Sequence, residues 1–165
     1  MNLENILAYG IILVIVILEA FVVKGIEKYN LYNSTKISFK ESMDLTELPV
    51  VTFYNKDKKL NFLLDTGSNL SVINESVLNT IDHEKINESR RTIGIGGIIQ
   101  SMSCKMCIHY KDKEFEDVFT IANLDEQFDL IKQEDGVTIH GILGSKFFER
   151  YKYVLDFKEL VAYIK

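Results

Sequence analysis

The sequence predicts a mainly β domain with short helices, set behind an N-terminal membrane-spanning helix. Three features carry that expectation: an apolar stretch from Ile6 to Val23, a succession of short β-rich runs separated by turn signals from residue 48 onward, and a glycine-rich hairpin over 92–99. The 165 residues are one-domain size, and 47% hydrophobic content with a single proline argues for a packed core and against disorder. A formal net charge of -5 with no basic stripe argues against a nucleic-acid partner.

Ile6 to Val23 spans 18 residues, 13 of them Ile, Leu, Val or Phe, and its only ionisable side chains are Tyr9 and Glu19. Each apolar residue contributes a few tenths of a kcal/mol to insertion, and the sum, roughly -4 to -8 kcal/mol, outweighs one acid near the helix end. The length just suffices to cross a bilayer. Glu19 can also face a partner helix. No Lys or Arg precedes the run and no Ala-x-Ala-like site closes it, which argues against a cleaved signal peptide. Lys24, Lys28, Lys36 and Lys40 follow it, so the positive-inside rule predicts a single-pass membrane protein with its C-terminal domain in the cytoplasm. Glycosylation acceptor patterns begin at Asn33, Asn69 and Asn87. A glycan on Asn69 would crowd the motif at 65–68, which disfavours a glycosylating lumen. The expected division is a transmembrane segment over 1–29 with its core at 6–23, a juxtamembrane linker over 30–45, and a folded domain over 46–165.

Within that domain, 48–54 reads as a strand, 55–59 as a turn and 60–64 as the return strand. Residues 74–78 read as a short helix capped by Asn74. The hairpin over 92–99 leads into a strand at 101–110, then a charged turn at 111–114 and a further strand at 115–122. Residues 124–136 are acidic and fit either a loop or a short helix. Residues 145–151 read as a helix, and 153–157 with 160–164 as a terminal hairpin.

Chemistry concentrates at Asp65-Thr66-Gly67-Ser68, directly behind the apolar run Phe62-Leu63-Leu64. A β-run that ends in Asp-Thr-Gly presents a carboxylate at a tight turn. Gly67 is expected there to tolerate positive φ and close backbone approach, with the hydroxyls of Thr66 and Ser68 holding the turn and its carboxylate. Glycines at 94, 96 and 97 inside a run of β-branched residues mark a hairpin tip whose backbone can move and approach a ligand. Gly141-Ile142-Leu143-Gly144 then precedes the predicted helix at 145–151.

In this order and spacing the three segments resemble those of retropepsin-like (retroviral-type) aspartic proteases: the catalytic turn, the flap at 92–99, and the hydrophobic-hydrophobic-Gly element beneath the turn. The resemblance covers about residues 46–165. It implies a single-lobed, closed-barrel-like acid protease fold and an aspartic-type endopeptidase that hydrolyses peptide bonds with an activated water and no cofactor. Carried over by position, Asp65 would be catalytic and Thr66 would brace the opposite subunit's turn, with Gly67 and Ser68 completing it. Ile95, Gly96, Gly97 and Ile98 would close over a peptide substrate, and Ile142, Leu143 and Gly144 would support the turn from below. The chain departs from the family in its extra length over 111–137 and in terminal strands that do not match the viral dimer sheet.

Aspartic-protease chemistry needs two carboxylates sharing one proton, because like charges at contact distance cannot both ionise. The sequence holds one such turn, since Asp135-Gly136-Val137 has the wrong order. The second carboxylate must then come from another copy, which agrees with the symmetric homodimer that the resemblance implies. Confinement to a membrane would favour that pairing. No metal site is expected: Cys104 and Cys107 point to opposite faces of a strand, and His83, His109 and His140 lack ligand spacing. The rival reading is a non-catalytic retropepsin-fold module that dimerises or binds peptides, and a further one takes the Asp-Thr-Gly as coincidence.

Overall fold

A computed structural model describes the backbone of residues 3–94 and 97–164 and the side-chain surroundings of 9–86 and 101–164. The apolar N-terminal run continues as one helix, α1 (Leu3–Thr35), well past Val23. Its described part from Tyr9 is long and apolar enough to cross a membrane, with a mean hydropathy of 2.3 in the most apolar window and none of that window buried. The last turn of α1 is different. Thr35 is wholly buried; its Oγ1 donates to the Leu31 carbonyl at 2.8 Å and accepts from the Ile164 N–H at 2.9 Å.

Residues 30–45 therefore do not behave as the expected linker. After α1, β1 (Ile37–Ser38) pairs antiparallel with the C-terminal strand, and α2 (Lys40–Thr46) follows directly. Ile37 and Phe39 enter the main hydrophobic core. Packing of the domain thus begins about ten residues earlier than the sequence pattern suggests. The strand is two residues long and its partner lies at the far end of the chain, so no local periodicity announces it.

The remaining elements are β2 (Val50–Asn55), β3 (Lys58–Asp65), β4 (Val72–Asn74), a 3-10 turn (Glu75–Thr80), β5 (Glu84–Gly94), β6 (Gly97–Tyr110), β7 (Lys113–Ala122), α3 (Asp125–Asp135), β8 (Gly141–Gly144), α4 (Ser145–Tyr151), β9 (Tyr153–Asp156) and β10 (Val161–Ile164). The order β2-β3-β8-β4-β7-β6, closed by the pairing of Tyr54 with His109, makes a six-stranded barrel. Most neighbours are antiparallel, but β3 with β8 and β4 with β7 run parallel. β5 extends the sheet beyond β6 as the outer half of a long hairpin. A second sheet, β1-β10-β9, pairs separately and packs on the same core as the barrel through Ile37 and Ala162.

Alternation along the strands fills the barrel. Phe53, Leu60, Phe62, Phe115 and Phe119 point inward and are essentially inaccessible. Phe53 meets Phe115 edge-on at 5.5 Å, and Phe147 of α4 packs against both. Each such ring stabilises the fold by about 1.5–3 kcal/mol through burial, with about 0.5–1.5 kcal/mol more per well-placed aromatic pair. The segment left open between loop and helix is helical: α3 ends on Gly136 in the left-handed conformation, and it packs Phe128 with Leu124 and Ile131 against Val50 and Ile139. Asn74 does not cap the 3-10 turn through its side chain. Its amide instead reaches across to the Leu124 N–H and the Asp125 carboxylate.

Candidate active site

Inward residues Leu60, Phe62 and Leu64 fix the phase of β3, so Asp65 falls on the opposite face at the strand's end, half-buried. Its neighbour across the parallel pair is Gly144. The Gly67 N–H donates to Asp65 Oδ1 at 2.8 Å, and the Ser68 N–H closes the turn on the Asp65 carbonyl at 3.3 Å. Gly67 has no positive φ, contrary to the sequence expectation. Its glycine matters for proximity, since a Cβ there would lie 3.1 Å from the carboxylate oxygen. The hydroxyl roles also differ: Ser68 Oγ donates to the Leu70 carbonyl at 2.7 Å, and Thr66 is exposed. The carboxylate is held by a backbone N–H.

The Gly141–Gly144 strand and the start of α4 lie directly against this turn. Ser145 donates to the Ser68 carbonyl twice, from its N–H at 2.8 Å and from its hydroxyl at 3.1 Å. A Cβ on Gly144 would sit 2.5 Å from the Leu70 carbonyl oxygen, so only glycine allows this approach. Ile142 and Leu143 diverge. Leu143 is fully buried in the core, whereas Ile142 faces a cavity of about 500 Å³ shared with Val72, Glu75, Met102, Thr120 and Leu124. That volume suits one or two side chains of a ligand. Asp65 is not part of the cavity lining, but Val72 pairs with Ile142 two residues before Gly144.

The glycine-rich hairpin is formed by β5 and β6, paired as far as Gly94 opposite Gly97, with Ile93 opposite Ile98. Ile95 and Gly96, and the side chain of Ile98, lie outside the described residues.

A buried polar relay escaped the sequence reading. Arg150 of α4 donates to Asp117 Oδ1 at 2.5 Å, Ser71 Oγ stands 3.4 Å from Asp117 Oδ2, and the Gly144 N–H reaches Ser71 Oγ at 3.4 Å. The signal was present, because Asp117 occupies an inward phase of Phe115, Phe119 and Ile121. Arg150→Ala leaves a buried carboxylate without its cation. It is expected to lower stability by about 1–3 kcal/mol, less than the roughly 3–5 kcal/mol of a fully buried pair because the arginine is itself half exposed. Urea midpoints of Arg150→Ala and Arg150→Lys check this, with partial recovery expected in the lysine variant.

His140 precedes the β8 strand and accepts the Asn61 N–H on Nδ1 at 2.9 Å, which only the unprotonated nitrogen can do. Burial, and secondarily the charge of Lys58, hold its pKa below the ordinary 6.5. The unfolded chain therefore takes up this proton first as pH falls. The histidine's contribution to stability is complete above about 6.5 and is lost as pH falls through the lower folded value. Denaturation midpoints followed from pH 8 downward should show that loss, and His140→Asn, which keeps an acceptor without the titration, should flatten it.

Burial pushes the Cys104 thiol up to about 11, so it is an inert core residue, while Cys107 is exposed. Among the described residues no cluster of three His, Cys, Asp or Glu is placed to hold a metal.

A closed barrel in which the strand ending at Asp65 lies parallel to the Gly141–Gly144 strand, followed by a short helix and extended beyond β6 by a long hairpin, is a mainly β fold. No protein-family model matches the chain, and no curated protein matches it. Among solved structures, EIAV protease complexed with the inhibitor HBY-793 is similar at 21% identity and a TM-score of 0.49, over 65% of this chain and 90% of that one.

Proposed function

We propose that the chain is a membrane-anchored aspartic endopeptidase, active as a homodimer with one Asp65 from each subunit and with its catalytic domain on the cytoplasmic side. The observation that carries this reading is the setting of Asp65: a carboxylate at a strand end, fixed by the Gly67 N–H, on a turn strapped to β8 and α4. Two such turns facing each other across a two-fold axis would share one proton. The ionised carboxylate takes a proton from water, whose oxygen attacks the scissile carbonyl carbon, while the protonated carboxyl donates to the carbonyl oxygen. The tetrahedral adduct then collapses, the C–N bond breaks and the amine leaves with a proton. Thr66, exposed beside the turn, is available to brace the partner's turn, and Ile95, Gly96, Gly97 and Ile98 would close over the peptide.

The helix α1 supports the anchored form, and Lys24, Lys28, Lys36 and Lys40 on its C-terminal side support the orientation. The test is incubation of the full chain in detergent with a diverse peptide library, with and without pepstatin. Cleavage that the inhibitor blocks is expected. A library left intact would leave the peptide-binding module as the better reading.

A further inference from the structure

We infer that the substrate of this site is a polypeptide anchored in the same membrane and cut in a segment close to the bilayer; this rests on the anchored-peptidase reading above. The ground is the absence, among the described residues, of any tether between helix and domain. α1 is continuous from Leu3 to Thr35. Its last turn is held from two sides. On one, β10 supplies the Ile164 N–H to Thr35 Oγ1 at 2.9 Å, and Tyr163 meets Tyr32 edge-on at 4.7 Å. On the other, the β6–β7 turn brings Lys111 Nζ to the Asn33 carbonyl at 2.9 Å and Tyr110 Oη to the Lys36 carbonyl at 3.1 Å.

Lengths then set the geometry. At a rise of about 1.5 Å per residue, the helix from Lys24 to Thr35 is about 18 Å long, enough to cross the roughly 5–7 Å headgroup layer of one leaflet and stand the domain about 10 Å beyond it. Lys24, Lys28, Tyr29 and Tyr32 on that stretch, with Tyr163 beside it, have the basic and aromatic character of a membrane interface. A domain of this size has a radius of gyration of about 14 Å, so no part of it lies more than about 40 Å from the attachment. A flexible linker of the length expected from sequence would have added a reach of up to about 55 Å. Without one, the catalytic turn works in a thin layer at a fixed height. Only a cleavage site held in that layer gains effective concentration from sharing the membrane.

The test uses the full chain in lipid vesicles and one peptide sequence that the library shows to be cut. The peptide is supplied free, and also on a lipid anchor through helical Glu-Ala-Ala-Ala-Lys spacers of increasing length. Cleavage of the anchored series should peak at one height and fall about tenfold or more for a site held about 100 Å out. A seven-residue helical insertion between Lys24 and Gly25 should move the peak outward by about 10 Å. A Gly/Ser insertion of about sixteen residues at the same place should restore cutting of distant sites. Equal rates at all heights by the unmodified chain, or a peak that neither insertion moves, would overturn the inference while cleavage of the free peptide leaves the peptidase reading intact. Failure to cut even the free peptide removes that reading and the inference with it.

Discussion

Asp65→Asn is expected to reduce peptide cleavage by about 10⁴-fold or more while leaving the domain folded. The substitution keeps an oxygen able to accept the Gly67 N–H, so the bond between this side chain and the turn is retained. What it removes is the ionisable group, and with it the shared proton on which both halves of the proposed reaction depend. Stability should change by no more than about 1 kcal/mol, the scale of a single exposed hydrogen bond. Steady-state turnover and a thermal melt on the same sample separate the two effects. Turnover within tenfold of the unmodified chain would remove Asp65 from the chemistry.

The largest expected effect on stability is that of Gly144→Ala. Its Cβ would stand 2.5 Å from the Leu70 carbonyl oxygen and 2.6 Å from the carbon, both backbone atoms that cannot rotate away. Either β8 slides from β3 or the turn at 65–70 is pushed out, and both moves break the Ser145 bonds to the Ser68 carbonyl. A cost of about 3 kcal/mol is expected, a large share of a typical domain's margin. Gly136→Ala makes the contrast. That glycine has a φ of +74° but open space around its Cβ position, so only backbone strain opposes the change, worth about 1 kcal/mol. Denaturant midpoints in which the two variants are equal would show that the packing under the turn yields more easily than its geometry implies.

Much of the barrel was legible because its cues are local. Leu60, Phe62 and Leu64 alternate with polar or half-buried neighbours up to Asp65, and the Gly-Ile-Leu-Gly run stands just before a helix, so the strand, the turn after it and the helix at 145–151 were readable. What was missed depends on partners distant in sequence. Ile37 and Phe39 look like stray apolar residues in a polar stretch until β10 arrives beside them. Asn74 has the chemistry of a helix cap, but its side chain is engaged by Leu124 and Asp125, fifty residues on. Asp117 could have been flagged by its inward phase, whereas Arg150 lay on a short helix whose facing element no local pattern reveals. The helical state of 125–135 was within reach: Leu124, Phe128 and Ile131 share a helical face, and Gly136 stands where a C-terminal cap belongs.

The central claim is that each chain carries half of an active site, and the most direct measurement of it is turnover in mixtures. The full-length chain and its Asp65→Asn variant are combined in detergent at constant total concentration, with time for exchange, and the rate is followed against composition. With random pairing, an equal mixture leaves about one pair in four with both carboxylates, so the rate should fall to about a quarter rather than to half. Dilution of the unmodified chain alone should lower the rate per mole as pairs dissociate. A rate that falls only in proportion to the wild-type fraction, together with constant specific activity on dilution, would show that the chain acts alone and would contradict the account.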